Sequence, residues 1–221
     1  GDYWSFSTER TLIPELGQGS VMKPYQRPHP PIIVTAVAPF SKGVVEAAKR
    51  GWDPISANFL LPQWVASHWP KYAEGCDAGG RPADLANWRV AKSVFVAEDL
   101  ATARRYATDP GGPYYQYYHS IVTKMLANGR GNLFKRDQSA PDESVTVEQV
   151  VEDLVIWGTP DKVADELCAF REEVGRFGTL LYAGHDWADR ELAIRSMELL
   201  AFDVAPAVAL AEAAPARAAD A

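Results

Sequence analysis

The chain has 221 residues, 47% of them apolar and 23% charged, which is ordinary globular composition and neither disordered nor fibrous. Its 22 basic and 29 acidic side chains leave a net charge of −7, which speaks against a nucleic-acid protein with its basic footprint. No apolar run reaches the roughly 18 residues of a membrane span, and Cys76 and Cys168 alone make neither a disulfide framework nor a structural zinc site. No charged start followed by an apolar core marks a secretion signal, so the expectation is a reducing, cytoplasmic setting with both cysteines as small buried residues.

Residues 1–31 read as irregular, because Pro14, Pro24, Pro28, Pro30 and Pro31 forbid a continuous helix and favour extended backbone. The first predicted strand is 32–37, apolar on both parities as a parallel strand covered on both faces should be. A turn over 38–43 leads to a helix at 44–50, stopped by Gly51. The second strand is 54–59. The helix 62–74 after it carries Trp64, Val65, His68, Trp69 and Tyr72 at spacings of three and four. Glycine-rich 75–87 reads as a loop, 88–96 as the third strand and 98–108 as the third helix.

Asp109-Pro110-Gly111-Gly112-Pro113 breaks that helix. Tyr114, Tyr115, Tyr117, Tyr118, Ile121, Val122, Met125 and Leu126 then predict an inserted helix ending at Gly129, followed by a polar loop to Pro141. A helix at 147–157 ends on Gly158; Thr159 caps the next and Pro160 takes its first turn, with Val163, Leu167, Phe170 and Val174 on the buried face. The fourth strand is 179–183, and a turn through Gly184-His185-Asp186-Trp187 opens a last helix at about 189–202. Domain boundaries are expected at 1–203 for the folded part and 204–221 for a low-complexity, frayed tail. Four strands each followed by helix, with no hairpin signal, imply an α/β fold with a parallel sheet. A complete eightfold barrel takes about 250 residues. Four units and an insertion therefore make either an open doubly wound sheet or half a barrel.

Four strings, in this order, resemble the bacterial luciferase-like flavin monooxygenase superfamily, closest in flavour to its limonene- and alkanal-monooxygenase-like members. They are Lys23-Pro24-Tyr25-Gln26-Arg27-Pro28-His29-Pro30-Pro31-Ile32 running into Ala38-Pro39-Phe40-Ser41, then Ala47-Ala48-Lys49-Arg50-Gly51-Trp52-Asp53-Pro54-Ile55-Ser56-Ala57-Asn58-Phe59. Trp157-Gly158-Thr159-Pro160-Asp161-Lys162-Val163-Ala164 follows, and then Phe177-Gly178-Thr179-Leu180-Leu181 with Gly184-His185-Asp186-Trp187. The match spans roughly 1–203. The resemblance implies a (β/α)8 TIM barrel of which only about the last four βα units are present, plus a helical insertion, so that the chain is a C-terminal fragment. It also implies FMN, reduced by a separate flavin reductase, as the cofactor. The partners it implies are O2 and a small apolar organic substrate; since the family often dimerises, a homodimer is a further expectation. A non-catalytic flavin-binding or structural half-barrel, and a deazaflavin-dependent oxidoreductase, are the alternatives.

Ser41, Lys42 and Gly43 open a helix directly after a strand. Free N–H groups, a hydroxyl, a cation and an unobstructed backbone at a helix N-terminus suit a phosphate. In the family this turn holds the FMN phosphate. Members often have Ser-Pro where this chain has Ala38-Pro39, so one hydroxyl is lost. The plain alternative is that Ser41 only caps the helix, and the turn at Gly184–Asp186 is a competing phosphate location. Asn58, with Ser56, ends the second strand and faces flavin, substrate or only a turn. His185 and Asp186 form either an acid–base pair or a loop residue beside a helix cap. His68 reads as packing, and His119 has no evident partner. The Tyr114–Tyr118 cluster suits a substrate channel, a partner surface or helical packing. The four histidines show no metal-ligand spacing. No residue stands out as a catalytic group, which agrees with chemistry carried by a cofactor.

Overall fold

The computed structural model describes every residue except 1, 2, 6, 8, 20–23, 186 and 214–221; Lys23 and Asp186 therefore lie outside the described residues. The chain divides into two units, Gly1–Ile32 and Ile33–Ala221. Among its described residues the first holds a 3-10 turn, Pro14–Leu16, flanked by an antiparallel bridge between Ile13 and Gln18, and is otherwise irregular, as its prolines dictate.

The second unit is built from βα repeats. Strand β1 (Ile33–Ala36) leads into helix α1 (Lys42–Lys49) and β2 (Asp53–Ser56) into α2 (Pro62–Ala66) and α3 (His68–Ala78). The long β3 (Arg89–Val96) is followed by α4 (Leu100–Thr108), α5 (Pro113–Ala127) and α6 (Val147–Leu154). Then come β4 (Val155–Gly158), α7 (Pro160–Val174), β5 (Thr179–Ala183), α8 (Arg190–Leu199), a π-helical stretch Leu200–Val204, and α9 (Ala205–Ala213). Among the described residues no helix is long and apolar enough to cross a membrane.

All strand pairs are parallel. β1 pairs with β2, and β2 with the start of β3. Arg89 and Val90 pair with both β2 and β5, so β3 lies between those two. Beyond the end of β2, β4 pairs with Ser93–Val96. The register puts Thr35, Ile55, Ala91, Ser93, Leu181 and Ala183 on one face, and Ala36, Ser56, Val90, Lys92, Leu180 and Tyr182 on the other. The second face meets helices: Ala36 packs with Val44, Ala48, Tyr72 and Cys76, and the Lys92 ammonium sits 4.8 Å from the Phe170 ring. Burial pushes the Lys92 pKa down to about 8. This is the α/β, partial-barrel architecture that the βα count implies.

Four stretches depart from the sequence expectation. The helix expected at 62–74 is two helices, because the Ser67 hydroxyl donates to the Trp64 carbonyl at 2.6 Å and competes with the helical ladder. α3 then runs on to Ala78 through the stretch expected to be a loop; Gly75 has its back to α1, where a Cβ would lie 2.5 Å from the Val45 carbonyl oxygen. The helix expected at 147–157 stops at Leu154, and Val155-Ile156-Trp157 instead forms β4. A β-branched and aromatic run this short carries no period that separates strand from helix. Last, 205–213 continues as a helix where a frayed tail was expected to begin at 204, as its high alanine content allows.

Candidate active site

The strands' C-terminal ends gather two groups of polar side chains. The first is the β1–α1 turn. Ser41 is the N-cap of α1 and its Oγ accepts the Val44 N–H at 3.3 Å. Lys42 and Gly43 form the exposed first turn, and a Cβ on Gly43 would meet only Ser41 Oγ, at 3.5 Å. The turn is held from below. The Ala38 carbonyl oxygen lies 2.9 Å from His68 Nε2, and a carbonyl only accepts, so Nε2 carries the proton. His68 Nδ1 then accepts from the Ser56 hydroxyl at 2.8 Å, and Ser56 Oγ accepts from the Trp88 indole at 3.0 Å. Burial pushes the His68 pKa down, keeping the ring neutral as this pattern requires. Phe40, at φ 49°, sits in the left-handed region and donates its N–H to Ser67 Oγ at 2.9 Å.

The second group centres on Ser93, which is fully buried. Its Oγ accepts from Asn58 Nδ2 at 2.9 Å and from the Tyr118 hydroxyl at 3.0 Å. With both lone pairs engaged, the Ser93 proton goes to His185 Nε2, 2.7 Å away. The Tyr117 hydroxyl donates to Asn58 Oδ1 at 3.2 Å, and the Tyr117 ring stacks on His185 with centroids 3.9 Å apart. Tyr114 meets the same imidazole edge-on at 4.8 Å and donates to the Val94 carbonyl. Burial pushes the His185 pKa down to about 4, so the imidazole is neutral at physiological pH.

Of the residues singled out in the sequence, Ala38, Ser41, Lys42 and Gly43 share one turn, while Asn58 belongs to the Ser93 group. Ser56 turns away to His68. His185, expected as either half of an acid–base pair or a loop residue, is tied to Ser93 and held between tyrosines. His119 is exposed on α5. Ser93 was missed. Its only sequence signal is a hydroxyl inside the apolar run Ser93-Val94-Phe95-Val96, and its meaning depends on partners up to 92 residues away.

The imidazoles make stability pH-dependent. Both have folded pKa values below the ordinary histidine value, so the unfolded chain takes up protons first as pH falls. The stability these two neutral rings contribute at pH 7 is therefore expected to drain away as pH falls from about 6.5 toward 4. Urea midpoints at pH 7 and pH 5, with an NMR titration of His185, check this; ordinary titration of that ring near 6.5 would contradict it.

The sequence profile of luciferase-like monooxygenases matches residues 1–176. This chain belongs to the luciferase-like monooxygenase family. Among its relatives, 3,6-diketocamphane 1,6-monooxygenase of Pseudomonas putida is 26% identical over 216 residues, covering 95% of this chain and 56% of that protein. Limonene 1,2-monooxygenase of Rhodococcus erythropolis is 31% identical over 165 residues, 72% of this chain and 39% of that protein. A solved structure from the Pseudomonas putida CAM plasmid is described as a type II Baeyer–Villiger monooxygenase, the oxygenating constituent of 3,6-diketocamphane monooxygenase, in complex with FMN. It superposes with a TM-score of 0.71 at 27% identity, over 80% of this chain and 49% of that one. The luciferase-like chain described here thus spans about half the length of the relatives it matches.

Proposed function

We propose that this chain supplies the C-terminal half of an FMN-dependent monooxygenase that oxygenates a small apolar organic substrate with reduced flavin and O2. The observation that carries the reading is the β1–α1 turn. Its Ser41 hydroxyl accepts a backbone N–H yet keeps its own proton for a phosphate oxygen, Lys42 adds a cation, and only the Ser41 hydroxyl stands near Gly43. The FMN complex of the solved Pseudomonas putida relative supports it. These residues fit a phosphate. Ser41, Lys42 and Gly43 would hold it, the Ala38 backbone would shape the turn, and Asn58 would approach flavin or substrate from the neighbouring strand.

Bound reduced flavin supplies the reaction with oxygen. The chain's own part is to orient and to exclude water. The His68–Ala38 bond fixes the height of the phosphate turn, and the Tyr117–His185 stack gives the mouth of the strands an aromatic wall. A separate flavin reductase, a cytoplasmic location and a homodimer belong to the same reading.

Incubating the purified chain with reduced FMN, O2 and a panel of long-chain aldehydes and terpenes tests the activity. Flavin retention without turnover would remove the activity from this chain, and no flavin retention would leave it a structural half-barrel. The phosphate contact has a separate test. Ser41→Ala is expected to weaken FMN about tenfold, the worth of one charge-assisted hydrogen bond, while leaving riboflavin unchanged. Equal losses for both ligands would remove the contact.

A further inference from the structure

The last helical stretch does not close down on the sheet. A cavity of about 570 Å³ lies between β5, α7 and that stretch, within the size range of small-molecule sites. Its walls are mostly apolar: Leu167 comes from α7, Phe177 from just ahead of β5 and Leu180 from β5 itself. The roof is the π-helical stretch Leu200–Val204, which lines the cavity through Leu200, Ala201 and Val204. Such turns are rare and occur frequently at functional sites. Charge gathers at one end. Arg171 lines the cavity, and its guanidinium is held 5.4 Å from the centroid of the Phe177 ring. Arg171 also lines a second hollow, of about 420 Å³, together with Cys168, Glu172 and Arg176. Two cations against one carboxylate leave this shared mouth net positive, on a chain whose overall charge is −7.

We infer that this cavity binds an unbranched aliphatic carboxylate, its chain under the π-helical stretch and its head at Arg171 and Arg176. Guanidinium groups take a carboxylate through paired, charge-assisted hydrogen bonds. The single net positive charge of the mouth matches a monoanion, whereas a doubly charged phosphate monoester would leave charge unpaired beside Glu172. The apolar walls reward a hydrocarbon chain and penalise a polar one. The site goes beyond the flavin reading and stands independently of it. The Ser41 turn and the Ser93 group lie at the C-terminal ends of the strands, while Phe177 and Gly178 place this cavity at the leading end of β5. An occupant would tie α7, β5 and the last helical stretch together, so binding should raise the melting temperature of the chain.

The test is calorimetric titration of the full chain, without flavin, with hexanoate, octanoate, decanoate and dodecanoate, each below its micelle concentration. Affinity is expected to rise about fourfold per added methylene until the cavity is full. 1-Decanol should bind about tenfold more weakly than decanoate, and decyltrimethylammonium more weakly still. Ala201→Phe, at an exposed position that lines the cavity, should keep the circular dichroism of the parent and weaken decanoate by about tenfold or more. Arg176→Gln, also at an exposed position, should weaken decanoate and leave 1-decanol unchanged. Phe202→Ser, 77% exposed on the same stretch but outside the cavity lining, should change neither. Should Ala201→Phe lose its fold, the two titrations of Arg176→Gln decide alone. Affinity that ignores chain length overturns the inference, and so does 1-decanol binding as tightly as decanoate. A folded Ala201→Phe variant that binds like the parent removes the cavity as the site. A chain that takes up no decanoate and instead dimerises over the cavity overturns the inference too.

Discussion

Gly75→Ala is expected to lower the stability of the chain by about 2 kcal/mol. A Cβ at this position would lie 2.5 Å from the Val45 carbonyl oxygen, 2.6 Å from Ala48 Cβ and 2.9 Å from Val45 Cα. Two of these atoms are backbone and the third is a rigid methyl, so nothing swings aside and α1 must move off α3. Overpacking of this kind costs about 3 kcal/mol at the upper end, and the better helix propensity of alanine returns about 1 kcal/mol. The displaced helix is the one whose first turn carries Ser41, Lys42 and Gly43, so FMN affinity should fall with stability. Urea unfolding with an unchanged slope and a lower midpoint, together with FMN titration, measures both. An unchanged midpoint would mean that α1 and α3 do not meet at the glycine.

Ser93→Ala is expected to cost about 3 kcal/mol, the larger of the two effects. The hydroxyl serves three partners at once, Asn58 Nδ2, the Tyr118 hydroxyl and His185 Nε2. Alanine is nearly isosteric, so the loss comes from polar groups left buried without partners, each worth roughly 1–3 kcal/mol. Tyr118 recovers part of this through its second contact, to the Asn58 carbonyl at 3.2 Å. The imidazole loses the bond that fixes its tautomer, so nitrogen shifts of His185 should move toward a mixture of the two neutral forms. A loss under about 0.5 kcal/mol with an unmoved His185 spectrum would show that water or a neighbour replaces the hydroxyl without cost.

What was legible in the sequence follows physical locality. β1 and β5 announce themselves as short apolar runs set off by Pro30-Pro31 before the one and by Gly178 and Gly184 around the other. The Ser41 cap is a one-turn signal, since the hydroxyl and the N–H it serves are three residues apart. β4 was hidden because three apolar side chains following a helix, Val155, Ile156 and Trp157, read equally well as its last turn. The Ser93 group was hidden for a different reason. Asn58, Ser93, Tyr118 and His185 come from separate elements of the chain, and no short-range pattern couples them. The tyrosines of α5 were visible as an aromatic stripe, but packing and site-forming roles produce the same stripe, and the strand ends beneath decide between them.

The pairing of β3 with β5 also governs how the chain folds. β5 joins a strand made long before it in sequence, across α4, α5, α6, β4 and α7. Closing so long an intervening segment is entropically expensive and is repaid only when the pair forms. β4 follows β3 across a shorter stretch of chain and pairs with it at Ser93–Val96. β5 is therefore expected to join β3 after β4 does, which pulse-labelling hydrogen exchange during refolding would show as later protection at Thr179–Ala183 than at Val155–Gly158. Until Thr179–Ala183 has left the ribosome, a nascent chain has nothing of its own to pair with Arg89–Ser93 on that edge of β3.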